Sequence, residues 1–342
     1  MADIQPLPAF HVMAKPTGAR CNLRCDYCFF LKKAELYPGS DFRMTDDMME
    51  RYIRQTLAAH HVPQVTIAWQ GGEPTLMGLD FFRRSIEIEQ RYQKSGVTIE
   101  NTIQTNGVLL DDNWCRFLHE HNFLVGLSLD GPREMHDAFR RDVGGHSVYD
   151  RVIRAVQLMQ KHHVDFNILC TVNAVNSHHP LEVYRFFRDE LHAHYLQFIP
   201  IVERDNETGF QEGNQVTTRS VDPEQYGQFL IAIFDEWVRR DVGKTFVQFF
   251  DGVLASWLIG HSTLCVLRPT CGDGVALEHN GDVYSCDHFV EPANRLGNIK
   301  ETSLANLVGS AQQQAFGQRK HDELPRYCHE CPYLFTCHGE CP

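Results

Sequence analysis

Two hydrophobic rhythms alternate along the chain from Phe10 to about residue 240. Short apolar runs predict six strands. These are "FHVMAKPT" (10–17), "QVTIAWQ" (64–70), "VTIENTIQTN" (97–106), "FLVGLSLD" (123–130), "VDFNILCTV" (164–172) and "YLQFIPIV" (195–202). Between them, apolar residues recur at helical spacing. Those segments are "TDDMMERYIRQTLAAH" (45–60), "LDFFRRSIEIEQRYQ" (79–93), "DDNWCRFLHEH" (111–121), "SVYDRVIRAVQLMQKHH" (147–163) and "HPLEVYRFFRDEL" (179–191), and "DPEQYGQFLIAIFDEWVRR" (222–240) follows the last strand. Thr45 stands where it can cap the first helix. The alternation predicts parallel βαβ units and an α/β fold, a partial (β/α)6 TIM-like barrel. Such barrels carry their sites at the C-terminal ends of the strands. The polar and glycine-rich pieces fall at those ends: a cysteine loop after the first strand, then "QGGEPT", "QTNG" and "SLDGP".

The rhythm breaks twice. "ERDNETGFQEGNQVTT" (203–218) is polar and aperiodic, which predicts a long loop, a candidate substrate lid. After residue 245, "GVALEHNGDVYSCDHF" (274–289) alternates with period two around Asn280–Gly281, a hairpin signal. The rest is short, cysteine-punctuated and loop-rich. The expected division is therefore a barrel over 1–245 and a small cysteine-rich domain over 246–342.

Composition narrows the function. The 342 residues suit about two domains. With 43% hydrophobic and 22% charged residues, the chain can bury a sizeable core. A net charge of −12 argues against general affinity for nucleic acid or anionic membranes. The N-terminus has no signal-peptide pattern, and no stretch is apolar enough to span a membrane, so the expected location is the cytoplasm. There, clustered thiols favour metal sites over disulfides. Of twelve cysteines, ten are clustered; Cys115 and Cys170 stand alone in apolar surroundings and are expected to be small core side chains. The histidine pairs 162–163 and 178–179 lack useful spacing to any cysteine and are expected at the surface.

Cys21, Cys25 and Cys28 lie on one short loop with no fourth thiol nearby. Three thiolates can hold three corners of a [4Fe–4S] cube and leave the fourth iron open. An external ligand with an amine and a carboxylate suits that vacancy. "CNLRCDYC" resembles the cluster loop of the radical S-adenosylmethionine (SAM) enzymes, and the later motifs occur in that family's order. The resemblance implies that Gly71, Gly72 and Glu73 of "GGEP" bind the methionine end, largely through backbone, which bare glycines permit. It also implies that Ser128 and one arginine of the Arg140–Arg141 pair, assigned as Arg140, hold the rest of the cofactor. The implied chemistry is reductive cleavage of SAM to a radical that takes hydrogen from an unactivated carbon.

The C-terminal cysteines resemble the cysteine-rich SPASM extension of radical enzymes that modify peptides. That resemblance gives Cys265, Cys271, Cys286 and Cys341 to one auxiliary [4Fe–4S] cluster, and Cys328, Cys331 and Cys337 to a second. The family pattern has one more cysteine beyond "CHGECP", so either the C-terminus is truncated, the expected case, or the second auxiliary cluster has an open iron. Zinc bound by the four thiolates of "CHECPYLFTCHGEC" is the alternative on spacing alone.

Nearly the whole chain is similar to the anaerobic sulfatase-maturating branch, through "AWQGGEPTLMGLDFF", "IQTNGVLLDDNW", "FLVGLSLDGPREMHD" and "GDVYSCDHFV". The resemblance implies that Asp287 is the general base and that Gln70 contacts substrate. Phe30 departs from it, since the branch can carry a tyrosine there. The implied reaction oxidises a cysteine or serine of an unfolded sulfatase polypeptide to Cα-formylglycine. The implied electron donor is a reduced flavodoxin or ferredoxin, and surplus electrons leave through the auxiliary clusters. Two readings stay open beside it: radical modification of a ribosomal peptide, such as thioether cross-linking, and a non-catalytic iron–sulfur or zinc scaffold.

Overall fold

The computed structural model describes residues 8–341. Six strands form where the apolar runs predicted them: β1 (His11–Lys15), β2 (Gln64–Trp69), β3 (Thr98–Thr105), β4 (Phe123–Ser128), β5 (Phe166–Val172) and β6 (Tyr195–Pro200). The intervening helices are α1 (Asp46–Ala59), α2 (Leu79–Tyr92), α3 (Asp112–Glu120), the single turn α4 (Arg133–His136), α5 (Tyr149–Lys161) and α6 (Pro180–Arg185), with α7 (Pro223–Arg240) after β6. Thr45 caps α1 by accepting from the Met48 amide at 3.3 Å. The helix expected to run to residue 191 instead ends in a π-type turn, Phe186–Glu190. There, Arg185 and Arg188 bind Glu236 of α7, and Arg188 also binds Asp241.

Strands β1 to β6 pair in sequence order, all parallel, as βαβ units require. Among the described residues the sheet has ten strands, in the order β10 (Arg295–Asn298), β9 (Asp282–Tyr284), β8 (Gly274–Glu278), β1, β2, β3, β4, β5, β6 and β7 (Phe246–Val247). Strand β7 (Phe246–Val247) adds to the β6 edge and leads into α8 (Gln248–Ile259). Strands β8 (Gly274–Glu278) and β9 (Asp282–Tyr284) form the hairpin read around Asn280–Gly281, and Gly281 has φ +99°, which its turn requires. This hairpin docks beside β1: β8 pairs with it in parallel from His11↔Gly274 to Lys15↔Glu278. Strand β10 (Arg295–Asn298) completes that edge. Alternation in the sequence shows that the hairpin exists but not which strand it will join, because the partner is a matter of long-range pairing.

Two helices follow where a loop-rich region was expected: α9 (Leu304–Val308) and α10 (Ala311–Asp322). On its inward face α10 buries Gln313, Phe316, Gly317 and Lys320. Two of those four are polar and one is glycine, so the apolar stripe that marks a helix is missing.

The core lies between the sheet and its outer helices. Trp69, at the end of β2, is fully buried against Tyr52, Phe81 and Phe82, with ring centroids 5.4–5.8 Å apart. Successive strand residues face opposite ways. Anchoring Trp69 toward the helices therefore turns Gln70 toward the mouth of the barrel.

Candidate active site

The loop after β1 carries Cys21, Cys25 and Cys28, and the "GGEP" segment after β2 packs directly on it. The Gly72 amide donates to the Gly18 carbonyl at 2.8 Å, and the Glu73 amide to that of Arg20 at 3.0 Å. A Cβ on Gly72 would overlap the Arg20 carbonyl, and Gly71 has φ +117°. These two positions need glycine for close approach and for backbone conformation respectively. Glu73 is fully buried, and its carboxylate accepts from the Thr75 amide and hydroxyl, the Thr105 hydroxyl and the Asn106 amide. Its side chain thus ties the "GGEP" turn to "QTNG". What the turn offers the mouth is backbone.

The three thiols share one neighbourhood: Cys21 and Cys28 each act electrostatically on Cys25. Burial pushes Cys21 and Cys25 up to about 12 and raises Cys28 as well. Thiols in so desolvated a place become thiolates only beside added positive charge, as bound metal provides. That donor set fits an iron–sulfur cluster.

Of the two adjacent arginines, Arg140 is buried and Arg141 is exposed. Arg140 pairs with Asp130 through Nε at 2.8 Å and Nη2 at 3.1 Å. Tyr27 donates its hydroxyl to Asp130, and Thr171 binds it through both amide and hydroxyl. Burial would raise the Asp130 carboxyl, but Arg140 holds it below the usual range. Through Tyr27 and the charge of Arg140 beside Cys25, this network braces the cysteine loop from the β4–β5 side. Ser128, half-buried at the end of β4, accepts from Gln104 at 3.1 Å.

Across the mouth, β8 closes on β1. Asp287 follows Cys286 there and is ion-paired with Lys15, the last residue of β1. Lys15 also donates to Gln70 Oε1 at 2.7 Å, and its ammonium lies 4.8 Å from the centre of the Phe30 ring. Burial would raise the Asp287 carboxyl, but Lys15, with His288 and Lys33 nearby, holds it below the usual range. Sequence reasoning singled out Asp287, Gln70 and Phe30 but missed Lys15. The available signal was a single lysine closing an otherwise apolar strand run.

The remaining cysteines form two groups. Cys286 feels the charges of Cys341 and Cys265, and Cys341 those of Cys265 and Cys271, so these four thiols are neighbours. Burial raises Cys286 to about 12 and Cys341 to about 11. Helix α10 holds them together: Gln313 donates to the carbonyls of Gly272 and Ser285, and Lys320 to those of Cys265 and Val266. Cys328 sits on the short turn Arg326–His329 and Cys337 on the turn Leu334–Cys337, with Cys331 between them; the second turn meets α8 where Phe335 packs on Trp257. Among the described residues no three His, Cys, Asp or Glu side chains converge closely enough to hold a single metal ion. Cys115 and Cys170 are fully buried in the core.

Segment 203–218 is tied down between the residues after the cysteine loop and Glu291. Lys32 donates to the carbonyls of Asn206 and Glu207, the Phe210 ring lies 4.6 Å from the Lys33 ammonium, and the Gln211 amide donates to Glu291 at 2.7 Å. No described helix is long and apolar enough to cross a membrane.

Comparison with known proteins agrees with this geometry. Residues 16–187 match the Radical SAM superfamily, and residues 270–332 match the SPASM iron–sulfur cluster-binding domain. The chain is 44% identical to a serine-type anaerobic sulfatase-maturating enzyme of Bacteroides thetaiotaomicron, over 97% of this chain and 82% of that protein. It is 33% identical to a cysteine-type enzyme of Clostridium perfringens, over 98% and 89%. Its structure superposes on anSMEcpe with bound AdoMet and the Cp18Cys peptide at a TM-score of 0.88 and 34% identity, covering 98% of this chain and 89% of that one. SuiB from Streptococcus suis, at 17% identity and TM-score 0.67, shares the fold. The cysteine loop, the "GGEP" turn and the Asp287 corner thus lie in a chain that belongs to the anaerobic sulfatase-maturating family of radical SAM enzymes.

Proposed function

We propose that this protein oxidises the side chain of a serine or cysteine in an unfolded sulfatase polypeptide to Cα-formylglycine. The observation that carries the reading is the Lys15–Gln70–Asp287 group: a carboxylate kept ionised at the mouth of the barrel, one residue from a cluster cysteine. Serine is the first reading, because the serine-type relative is the more similar of the two compared.

Cys21, Cys25 and Cys28 hold the SAM-binding cluster. Cys265, Cys271, Cys286 and Cys341 hold one auxiliary cluster, and Cys328, Cys331 and Cys337 contribute to a second. Gly71, Gly72 and Glu73 receive the methionine end of SAM through backbone groups. Ser128 and Arg140 complete that wall. We divide the chain functionally at residue 245, with the auxiliary clusters on the later part. When bound, the clusters and SAM supply hydrogen-atom abstraction and an outlet for the surplus electron.

The chain's own residues orient the substrate and move its proton. Asp287, already ionised, accepts the proton from the substrate hydroxyl or thiol. Gln70 holds the same group in place. Phe30 and the strap around Phe210 keep water from the reacting carbon. All twelve cysteines are unpaired, which suits a reducing cytoplasm and supply of electrons by a flavodoxin or ferredoxin.

The test is anaerobic reconstitution with iron, sulfide, reductant and SAM, followed by Ser-x-Pro-x-Arg and Cys-x-Pro-x-Arg peptides. Conversion of either peptide to the aldehyde, read by mass, supports the proposal and ranks the substrates. Formation of 5′-deoxyadenosine with both peptides unchanged would overturn the substrate assignment.

A further inference from the structure

We propose that Lys15 is a positioning residue that sorts Gln70 and Asp287 into one hydrogen-bond donor and one acceptor for the substrate side chain. The inference rests on the reading of the mouth given above. An ammonium can only donate. By donating to Gln70 Oε1 at 2.7 Å, it fixes which way the amide points and leaves the Nε2 hydrogens for the mouth. By pairing with Asp287 Oδ1, which has no other partner, it leaves Oδ2 as the free acceptor. A hydroxyl both donates and accepts, so a serine side chain can satisfy Gln70 and Asp287 together. Without the lysine, the amide is free to flip and present a second acceptor beside the carboxylate.

Lys15 is well held for this role. It is 1% exposed, its ammonium rests against Phe30, and a Cβ at Gly71 would crowd its Cα and Cβ. Its strand register beside Glu278 fixes it at the seam between the barrel and the hairpin that leads to Asp287. This also gives Phe30 a purpose that needs no hydroxyl: its ring face supports the cation.

The test measures peptide binding without turnover. Reconstituted enzyme with SAM and no reductant is titrated into fluorescein-labelled Ser-x-Pro-x-Arg and Ala-x-Pro-x-Arg peptides, and anisotropy is read. The wild type is expected to prefer the serine peptide about tenfold, the size of a hydrogen bond to a charged group. Lys15→Met is expected to bring that ratio close to one, and Lys15→Arg to keep more of it. An unchanged ratio in Lys15→Met, or equal loss in Met and Arg variants, overturns the proposal. A general structural role would weaken both peptides alike and leave the ratio unmoved. If Lys15→Met strands Asp287 and does not fold, Asp287→Asn is compared with Lys15→Met/Asp287→Asn. The ratio should then fall further in the double variant, and equal ratios overturn the proposal. A wild type that oxidises the serine peptide but binds the alanine peptide equally well removes the role of Lys15 and leaves the function standing. A wild type that oxidises neither peptide removes the substrate reading and this proposal with it.

Discussion

Asp287 sits in the mouth with two opposing influences on it: burial that favours the neutral acid and Lys15 that favours the carboxylate. The carboxylate wins, which suits the proton-accepting role proposed for it. Asp287→Asn is therefore expected to lower peptide oxidation by about 10²-fold or more while 5′-deoxyadenosine still forms; chromatography and peptide mass from one reaction check this. His136 supplies a second residue-scale test. It is fully buried, its Nε2 has no partner, and burial lowers it to about 4 from 6.5. Between those values the unfolded chain binds more protons than the folded one, so its contribution is intact above pH 6.5 and is lost as pH falls toward 4. The loss approaches about 3 kcal/mol. Urea midpoints at pH 7 and pH 4.5 should diverge less in His136→Gln than in the wild type. At this scale Asp287 and Gln70 stood out through the family resemblance of the segments that carry them. Lys15 and Asp130 were invisible as partners because their roles depend on side chains far away in the chain.

Helix α10 shows why an element can escape a periodicity reading. Its buried face works by polar contacts: Gln313 and Lys320 reach carbonyls of the cysteine loops, and Gly317 lets the helix touch the Cys271 backbone. A Cβ at Gly317 would overlap the Cys271 carbonyl. Gly317→Ala should thus lower thermal stability and the iron retained after desalting, despite alanine's higher helix propensity. Iron analysis beside a melting curve checks both, and unchanged iron would show that α10 does not hold the cysteine loops. The six parallel strands were legible because buried positions alternate along them toward the helices and most of those positions are apolar. The hairpin was legible as a hairpin, since Asn280–Gly281 sets its turn.

For the whole molecule, the docking of β8 on β1 matters most. It brings Asp287 to Lys15 across a seam that joins residues near the two ends of the sequence. The strap at 203–218 then ties the segment after the cysteine loop to Glu291, beyond Asp287. Lys32→Ala/Phe210→Ala should free that strap, and limited proteolysis within 203–218 should become faster than in the wild type. Central to the proposed chemistry is that a hydrogen atom leaves the substrate Cβ at this mouth. The most direct measurement uses a Ser-x-Pro-x-Arg peptide deuterated at the serine Cβ and follows the label by mass. Deuterium is expected in 5′-deoxyadenosine together with aldehyde in the peptide. Aldehyde formed with unlabelled 5′-deoxyadenosine would contradict that chemistry.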